Sequence, residues 1–221
     1  MAKIFRNRNE AGAELGARLH AAGFGADALV LGLPRGGVPV ACGVAAALGA
    51  QVDVLVVRKL GAPHNRELAV GAIAFGGITV YNDGLLEMLD LTEQDLESTR
   101  RRELEELTRR ERAYRAGAAP LAVASRTVIL VDDGIATGAT MHAAVLATRA
   151  LKPKRVVVAA PTAAEDSVAR LAKVADQVVV LETPEPYYAV GAWYADFPQL
   201  RDDEVVACLA AAAARSAEAR S

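Results

Sequence analysis

The chain has 221 residues, 52% of them hydrophobic and 24% charged, with a formal charge of 25 − 27 = −2. That size and balance describe one globular domain, 1–221, and exclude a disordered segment. The near-neutral charge supplies no global positive field for nucleic acid or an anionic membrane.

Alanine accounts for 47 residues and inflates the hydrophobic share, while aromatics make up only 5%. The mean hydropathy of +0.20 does not signal a membrane span. The longest notable uncharged run, 36–52, is short for one and is broken by Gly37, Pro39, Gly43 and Gly49. The N-terminal MAKIFRNRNE carries charges where a signal peptide needs an apolar core. Cys42 and Cys208 lie far apart, with no CxxC or Cys/His cluster, so neither a disulfide scaffold nor a structural zinc site is expected. The expectation is a soluble, cytoplasmic chain with reduced thiols.

In chain order, the pattern predicts a helix over 9–22, a strand over 28–33 (ALVLGL), a helix over 39–48 and a strand over 52–57 (VDVLVV). A strand over 127–131 (TVILV) and a helix over 138–151 follow, then a strand over 155–160, a helix over 165–175 and a strand over 177–181. The strands are nearly all apolar, as in a parallel sheet buried on both faces. The expected fold class is α/β, with a doubly wound, mainly parallel sheet. An alanine-rich tail occupies 210–214.

One segment, about 85–116, does not fit the sheet and reads as a charged helical insert, a long helix or a helix pair. From 93 to 115 it holds seven acids and seven arginines. Glu97/Arg101, Glu105/Arg109, Glu106/Arg110 and Glu111/Arg115 stand four apart with the acid first. Arg100-Arg101-Arg102 invites a nucleic-acid reading, but zero net charge favours a solvated surface helix.

The stretch 128–140, VILVDDGIATGAT, carries the chemistry. It runs from a buried strand into Asp132 and Asp133, then small residues and hydroxyls, then a helix. The carboxyl end of such a strand opens on the crevice where α/β sheets bind ligands. The two carboxylates can accept hydrogen bonds from vicinal sugar hydroxyls or help to hold a divalent metal. Ala136, Thr137, Gly138, Ala139 and Thr140 offer N–H groups and hydroxyls to a phosphate at a helix start. There is neither a GK[ST] P-loop nor a GxGxxG fingerprint.

This run resembles the phosphoribosyl-pyrophosphate (PRPP) motif of type I phosphoribosyltransferases, and the likeness extends along the chain. Leu33-Pro34-Arg35-Gly36-Gly37 resembles the family's pyrophosphate loop, which often holds a non-proline cis peptide, by position Arg35–Gly36. Arg58-Lys59-Leu60-Gly61-Ala62-Pro63-His64-Asn65-Arg66 resembles the mobile catalytic loop that an Arg-Lys pair opens in orotate enzymes. Gly61 and Pro63 argue against a continuing strand there. The segment of about 182–200, with five of the ten aromatics, resembles the C-terminal hood of hypoxanthine–guanine enzymes. Tyr188 and Trp193 would then face the base; the alternative is an aromatic lid closing the core.

The resemblance implies a Mg²⁺-dependent transfer of ribose 5-phosphate from PRPP to a nitrogenous base or similar small nucleophile. Asp132 and Asp133 would hold the ribose hydroxyls and, directly or through those hydroxyls or water, the metal. Residues 136–140 would hold the 5-phosphate, and Arg35, Gly36 and Gly37, with Arg58 and Lys59, the diphosphate. Ala136 replaces the aspartate that serves the ring in hypoxanthine–guanine enzymes, and 161–166 lacks their lysine, so a 6-oxopurine is disfavoured. The whole pattern is most similar to bacterial predicted phosphoribosyltransferases. Homodimers are common in the family. The competing expectation is a non-catalytic PRPP- or nucleotide-sensing protein on the same fold.

Overall fold

The computed structural model describes residues 3–115 and 122–218; the last position of the expected insert, 116, lies outside them. Five strands form a parallel sheet: β1 (Leu29–Gly32), β2 (Gln51–Val54), β6 (Thr127–Val131), β7 (Arg155–Thr162) and β8 (Gln177–Glu182). Their order is β2-β1-β6-β7-β8. Register pairs Val30 with Val52 and Ile129, and Ile129 with Val157.

Alternate residues of these strands feed two cores. Val30, Ile129 and Val157 meet helices α1 (Arg8–Ala21) and α2 (Gly37–Leu48) through Leu15, Leu19, Val40 and Val44. Leu31, Leu130 and Val158 meet α5 (Ala139–Ala150) and α6 (Glu165–Leu171) through Met141, Val145 and Leu171. Burial on both faces is why the strands read as unbroken apolar runs. At about 25 cal/mol per Å² of apolar surface, these two layers are the main stabilising mass of the fold.

The structure corrects the expectation for 57–81. The predicted second strand ends at Val54, and the chain restarts as β3 (Val57–Ala62), β4 (Asn65–Ala74) and β5 (Ile78–Tyr81), a three-strand antiparallel sheet. The expected Arg-Lys loop is therefore a β-hairpin. Gly61 lies at an irregularity of register between β3 and β4, and Pro63 sits in the turn, so neither interrupts the ladder interior.

The insert is a helix pair, α3 (Asp83–Met88) and α4 (Glu93–Arg115). Of the expected four-residue pairs, Glu106–Arg110 forms at 2.7 Å. Arg109 also reaches Glu106, Arg100 takes Glu97, and Arg115 instead meets Asp53 on β2 at 2.9 Å. Leu107 and Tyr114 anchor α4 on Leu60 and Ile73 of the hairpin sheet. The alanine-rich tail belongs to α7 (Asp202–Glu218), which joins this same core through Val205 and Ala212. Alanine's high helix propensity and small side chain allow both roles. Among the described residues no helix is long and apolar enough to cross a membrane.

Candidate active site

The strand order, not the strand direction, reverses between β1 and β6: β2 lies outside β1, whereas β7 and β8 lie beyond β6. The helices that follow two such strands, here α2 and α5, pack on opposite faces of the sheet and leave a crevice at the carboxyl ends, the usual ligand site of open α/β sheets. The two loops here are 33–37 and 132–138, the pair singled out by sequence.

They touch directly. A Cβ on Gly36 would fall on the Asp133 carboxylate, and one on Gly37 would lie 2.6 Å from the Val131 carbonyl and 2.8 Å from the Asp132 Cα. Only glycine permits this approach. The non-proline cis peptide lies at Pro34–Arg35, one residue before the expected bond. The Gly37 N–H donates to the Leu33 carbonyl at 3.0 Å and begins α2. It therefore serves the helix, and the N–H groups left for an anion precede it.

The two carboxylates are not equivalent. Asp133 accepts from Arg8 Nε at 2.8 Å, with side chains only 13% and 10% exposed. Arg8 also donates to the Pro198 carbonyl at 2.9 Å and lies 3.8 Å from the centre of the Phe197 ring. Asp132 accepts the backbone N–H of Asp133 at 2.9 Å and, among the described residues, has no cation of this kind. Burial, and then the negative charge of Asp133, push its carboxyl well above the usual carboxylate range. Asp132 is thus a carboxylate whose ionised form gains from hydroxyl donors or a cation.

Sequence reasoning missed Arg8. Its signal is its place as the first residue of α1, where a cation opposes the helix dipole and needs an anion elsewhere.

In the expected 5-phosphate loop, Ala136, Thr137 and Thr140 are exposed, and Gly138 takes a left-handed φ of 71° before α5. The N-cap Gly138 has no side chain to offer, and the Thr137 hydroxyl accepts from the Ala139 N–H only at 3.5 Å, so the start of α5 is weakly capped on the loop side. The loop is braced from α6: Ser167 donates to the Ala136 carbonyl at 2.6 Å, and Arg170 to the Thr137 carbonyl at 3.3 Å and to Ser167 at 2.8 Å.

The expected cations approach from two sides. Arg58 and Lys59 stand on β3, and Arg58 pairs with Glu103 of α4 at 2.6 Å. Both line a cavity of about 690 Å³ together with Pro34, Thr140, Ser98 and Thr99. One wall is therefore the 33–37 loop, one the start of α5, and one the charged insert. Arg35 points the other way, donating to the Leu200 carbonyl at 2.5 Å and meeting Asp202 at 3.3 Å.

The hood divides. Tyr188 is 83% exposed, and the exposed His64 sits in the hairpin turn. Trp193 is half-buried and packs on Tyr187 at 6.1 Å between ring centres. Tyr194 is buried beside Phe5 and Phe197 and donates its hydroxyl to the Asp133 carbonyl at 2.5 Å. The Tyr187 hydroxyl is buried 3.0 Å from where a Gly134 Cβ would stand, and burial raises its pKa. Trp193, Tyr194 and Phe197 pack in an apolar cluster with Phe5, and Tyr194 braces the acid loop. Tyr194 and Tyr187 thus meet the acid loop, whereas Tyr188, which the sequence pattern favoured, is exposed.

Comparison with known proteins agrees with this geometry. Residues 3–192 match the phosphoribosyl transferase domain model. Two strains of Mycobacterium tuberculosis, CDC 1551 and H37Rv, each hold a protein provisionally described as a phosphoribosyl transferase that is 48% identical over 207 residues. The match covers 94% of this chain but 46% of theirs, so the chain spans about half the length of these relatives. The crystal structure of TT1426 from Thermus thermophilus shares 44% identity at a TM-score of 0.88, over 93% of this chain and 97% of that one. By domain match, by these relatives and by its mainly parallel five-strand fold, the chain belongs to the phosphoribosyl transferase domain family.

Proposed function

We propose that the crevice between β1 and β6 binds PRPP with Mg²⁺ and that the chain transfers its ribose 5-phosphate to a nitrogenous base or similar small nucleophile. The observation that carries the reading is the contact of the two loops at the reversal point, with Gly36 and Gly37 pressed against Asp133 and Asp132. The nucleophile's lone pair attacks the anomeric carbon, the bond to the diphosphate oxygen breaks, and that oxygen leaves with the electron pair. The nucleophile's proton goes to solvent or to the diphosphate.

Each residue then has a task. Asp132 accepts from the ribose hydroxyls, and Asp133, held by Arg8 and Tyr194, fixes the loop beside it. The loop 136–140 and the start of α5 take the 5-phosphate. Arg58 and Lys59 meet the diphosphate from the hairpin, and Arg35 does so after leaving Asp202. Among the described residues no three His, Cys, Asp or Glu side chains converge on a metal position. That donor set suits a Mg²⁺ held by one carboxylate, Asp132, with water and the ligand's own oxygens. When bound, the cation neutralises charge on the leaving diphosphate.

Ala136 has no side-chain carboxylate to exchange a proton with a purine ring, so a 6-oxopurine remains the disfavoured acceptor. One observation favours a sensor without turnover: Arg35 and Arg58 both already pair with carboxylates. The deciding experiment follows pyrophosphate release from PRPP against a panel of purines, pyrimidines and analogues. Stimulation by one acceptor supports transfer. Tight PRPP binding with no stimulated release establishes the sensor.

A further inference from the structure

Cys42 and Cys208 stand 166 positions apart in sequence, and the fold brings them together. Cys42 is on α2, only 5% exposed, and Cys208 is on α7, half-buried. Both are free thiols. The two Sγ atoms share a hydrogen bond at 2.8 Å, and Cys42 Sγ also lies 3.6 Å from the Cys208 carbonyl. A disulfide bond is about 2.05 Å long, so the two sulfurs already stand within about 1 Å of bonding distance. The sequence expectation of two unrelated thiols is therefore replaced by a dithiol across a helix–helix contact.

The two sulfurs have different surroundings. A hydrogen bond from Cys42 favours the Cys208 thiolate, with the positive charge of Arg215 in support, and lowers its pKa. That bond and burial hold Cys42 in the thiol form. A more exposed, more acidic thiol backed by a buried one is the arrangement of an attacking and a resolving cysteine.

We propose that Cys42 and Cys208 form a reversible redox site at which a small disulfide converts the two thiols into a bond joining α7 to α2. The Cys208 thiolate attacks one sulfur of the small disulfide, forming a mixed disulfide and releasing one small thiolate, which takes a proton. Cys42 Sγ then attacks Cys208 Sγ, and the second small thiolate leaves with the Cys42 proton. Two protein thiols are oxidised and one disulfide is reduced to two thiols, with no other oxidant. The bond restrains α7 at a helix whose first residue, Asp202, meets Arg35 at 3.3 Å and accepts from the Tyr114 hydroxyl at 2.6 Å. It also ties down α2, which begins where the diphosphate loop ends.

The test exposes the reduced, folded chain to oxidised glutathione, followed by peptide mapping by mass spectrometry without reductant. Expected is a linked pair of peptides holding Cys42 and Cys208 within one chain, with both thiols lost together and restored by dithiothreitol. The oxidised form should melt at a higher temperature. Cys42→Ala should accumulate a stable glutathione adduct on Cys208, whereas Cys208→Ala should leave Cys42 unmodified while the chain stays folded. The proposal is overturned if both thiols stay titratable, if the wild type retains the glutathione adduct, or if the product is a covalent dimer. These readouts need no PRPP, so they stand apart from the proposed transfer reaction.

Discussion

Replacing Arg8 with Met removes the cation that pairs with Asp133 while keeping most of the side-chain volume. The pair is 2.8 Å long with both side chains about nine-tenths buried. Removing one member of such a pair leaves a buried, uncompensated charge and costs about 3–5 kcal/mol. Here the stranded charge is Asp133, beside the already unfavourable Asp132. The contact with Phe197 is lost as well and adds ~0.5–2 kcal/mol. Arg8→Met should therefore destabilise the chain by about 3.5–7 kcal/mol. For a chain of this size each kcal/mol shifts the melting temperature by ~2–4 °C.

Asp133→Asn should cost a similar amount, because it strands Arg8. The double variant should be less damaging than the sum, with a coupling of about 2–3 kcal/mol. Urea unfolding followed through Trp193, the single tryptophan, reads the same part of the molecule. If Arg8→Met shifts stability by under ~1 kcal/mol with no coupling to Asp133→Asn, the ion pair does not hold the acid loop.

Asp132→Asn should abolish calorimetric binding of Mg-PRPP yet leave the fold intact, unlike any change at Asp133. The raised carboxyl pKa gives this variant a further signature. The folded state holds that proton more tightly than the unfolded chain, so its contribution is present at low pH and fades as pH rises through the folded pKa. Asn escapes that loss, and the variant's unfolding midpoint should exceed the wild type's at alkaline pH; a lower midpoint refutes the assignment. Ligand binding should also release a proton, read as a dependence of calorimetric enthalpy on the buffer's ionisation enthalpy, and tighten as pH rises. Gly36→Ala, by placing a methyl on the Asp133 carboxylate, should destabilise by about 1–3 kcal/mol and eliminate Mg-PRPP binding; undiminished binding refutes the close approach. Glu103→Gln releases Arg58 from a pair worth ~1 kcal/mol, so inorganic pyrophosphate should bind about fivefold more tightly. Weaker binding would show that Glu103 orients Arg58 for the anion.

Local pattern alone was enough for the parallel sheet, because strands buried on both faces must be apolar along their whole length. It also sufficed for the acid loop, because Asp132-Asp133 followed by TGAT between a strand and a helix has few structural uses. Charge pairs at helical spacing announced α4 for the same reason: their partners lie one turn away. The hairpin was hidden, since Gly61 and Pro63 signal breaks and only pairing with β4 shows that one sits at an irregularity and the other in a turn.

Long-range partners escaped entirely. Nothing near Arg8 in sequence marks it as the counter-ion of Asp133, 125 positions away. Nothing near Tyr188 shows that it lies in solvent while Tyr194 holds the acid loop. The cysteines make the same point: spacing says they are unrelated, and packing of α7 on α2 makes them neighbours. Composition, periodicity and loop chemistry are properties of adjacent residues, so the sequence by itself determined the parallel sheet, the helices that cover it and which two loops flank the candidate crevice. Which charges are neutralised, which rings are buried and which thiols meet depend on contacts closed only when the helices pack, and those the tertiary structure alone decided.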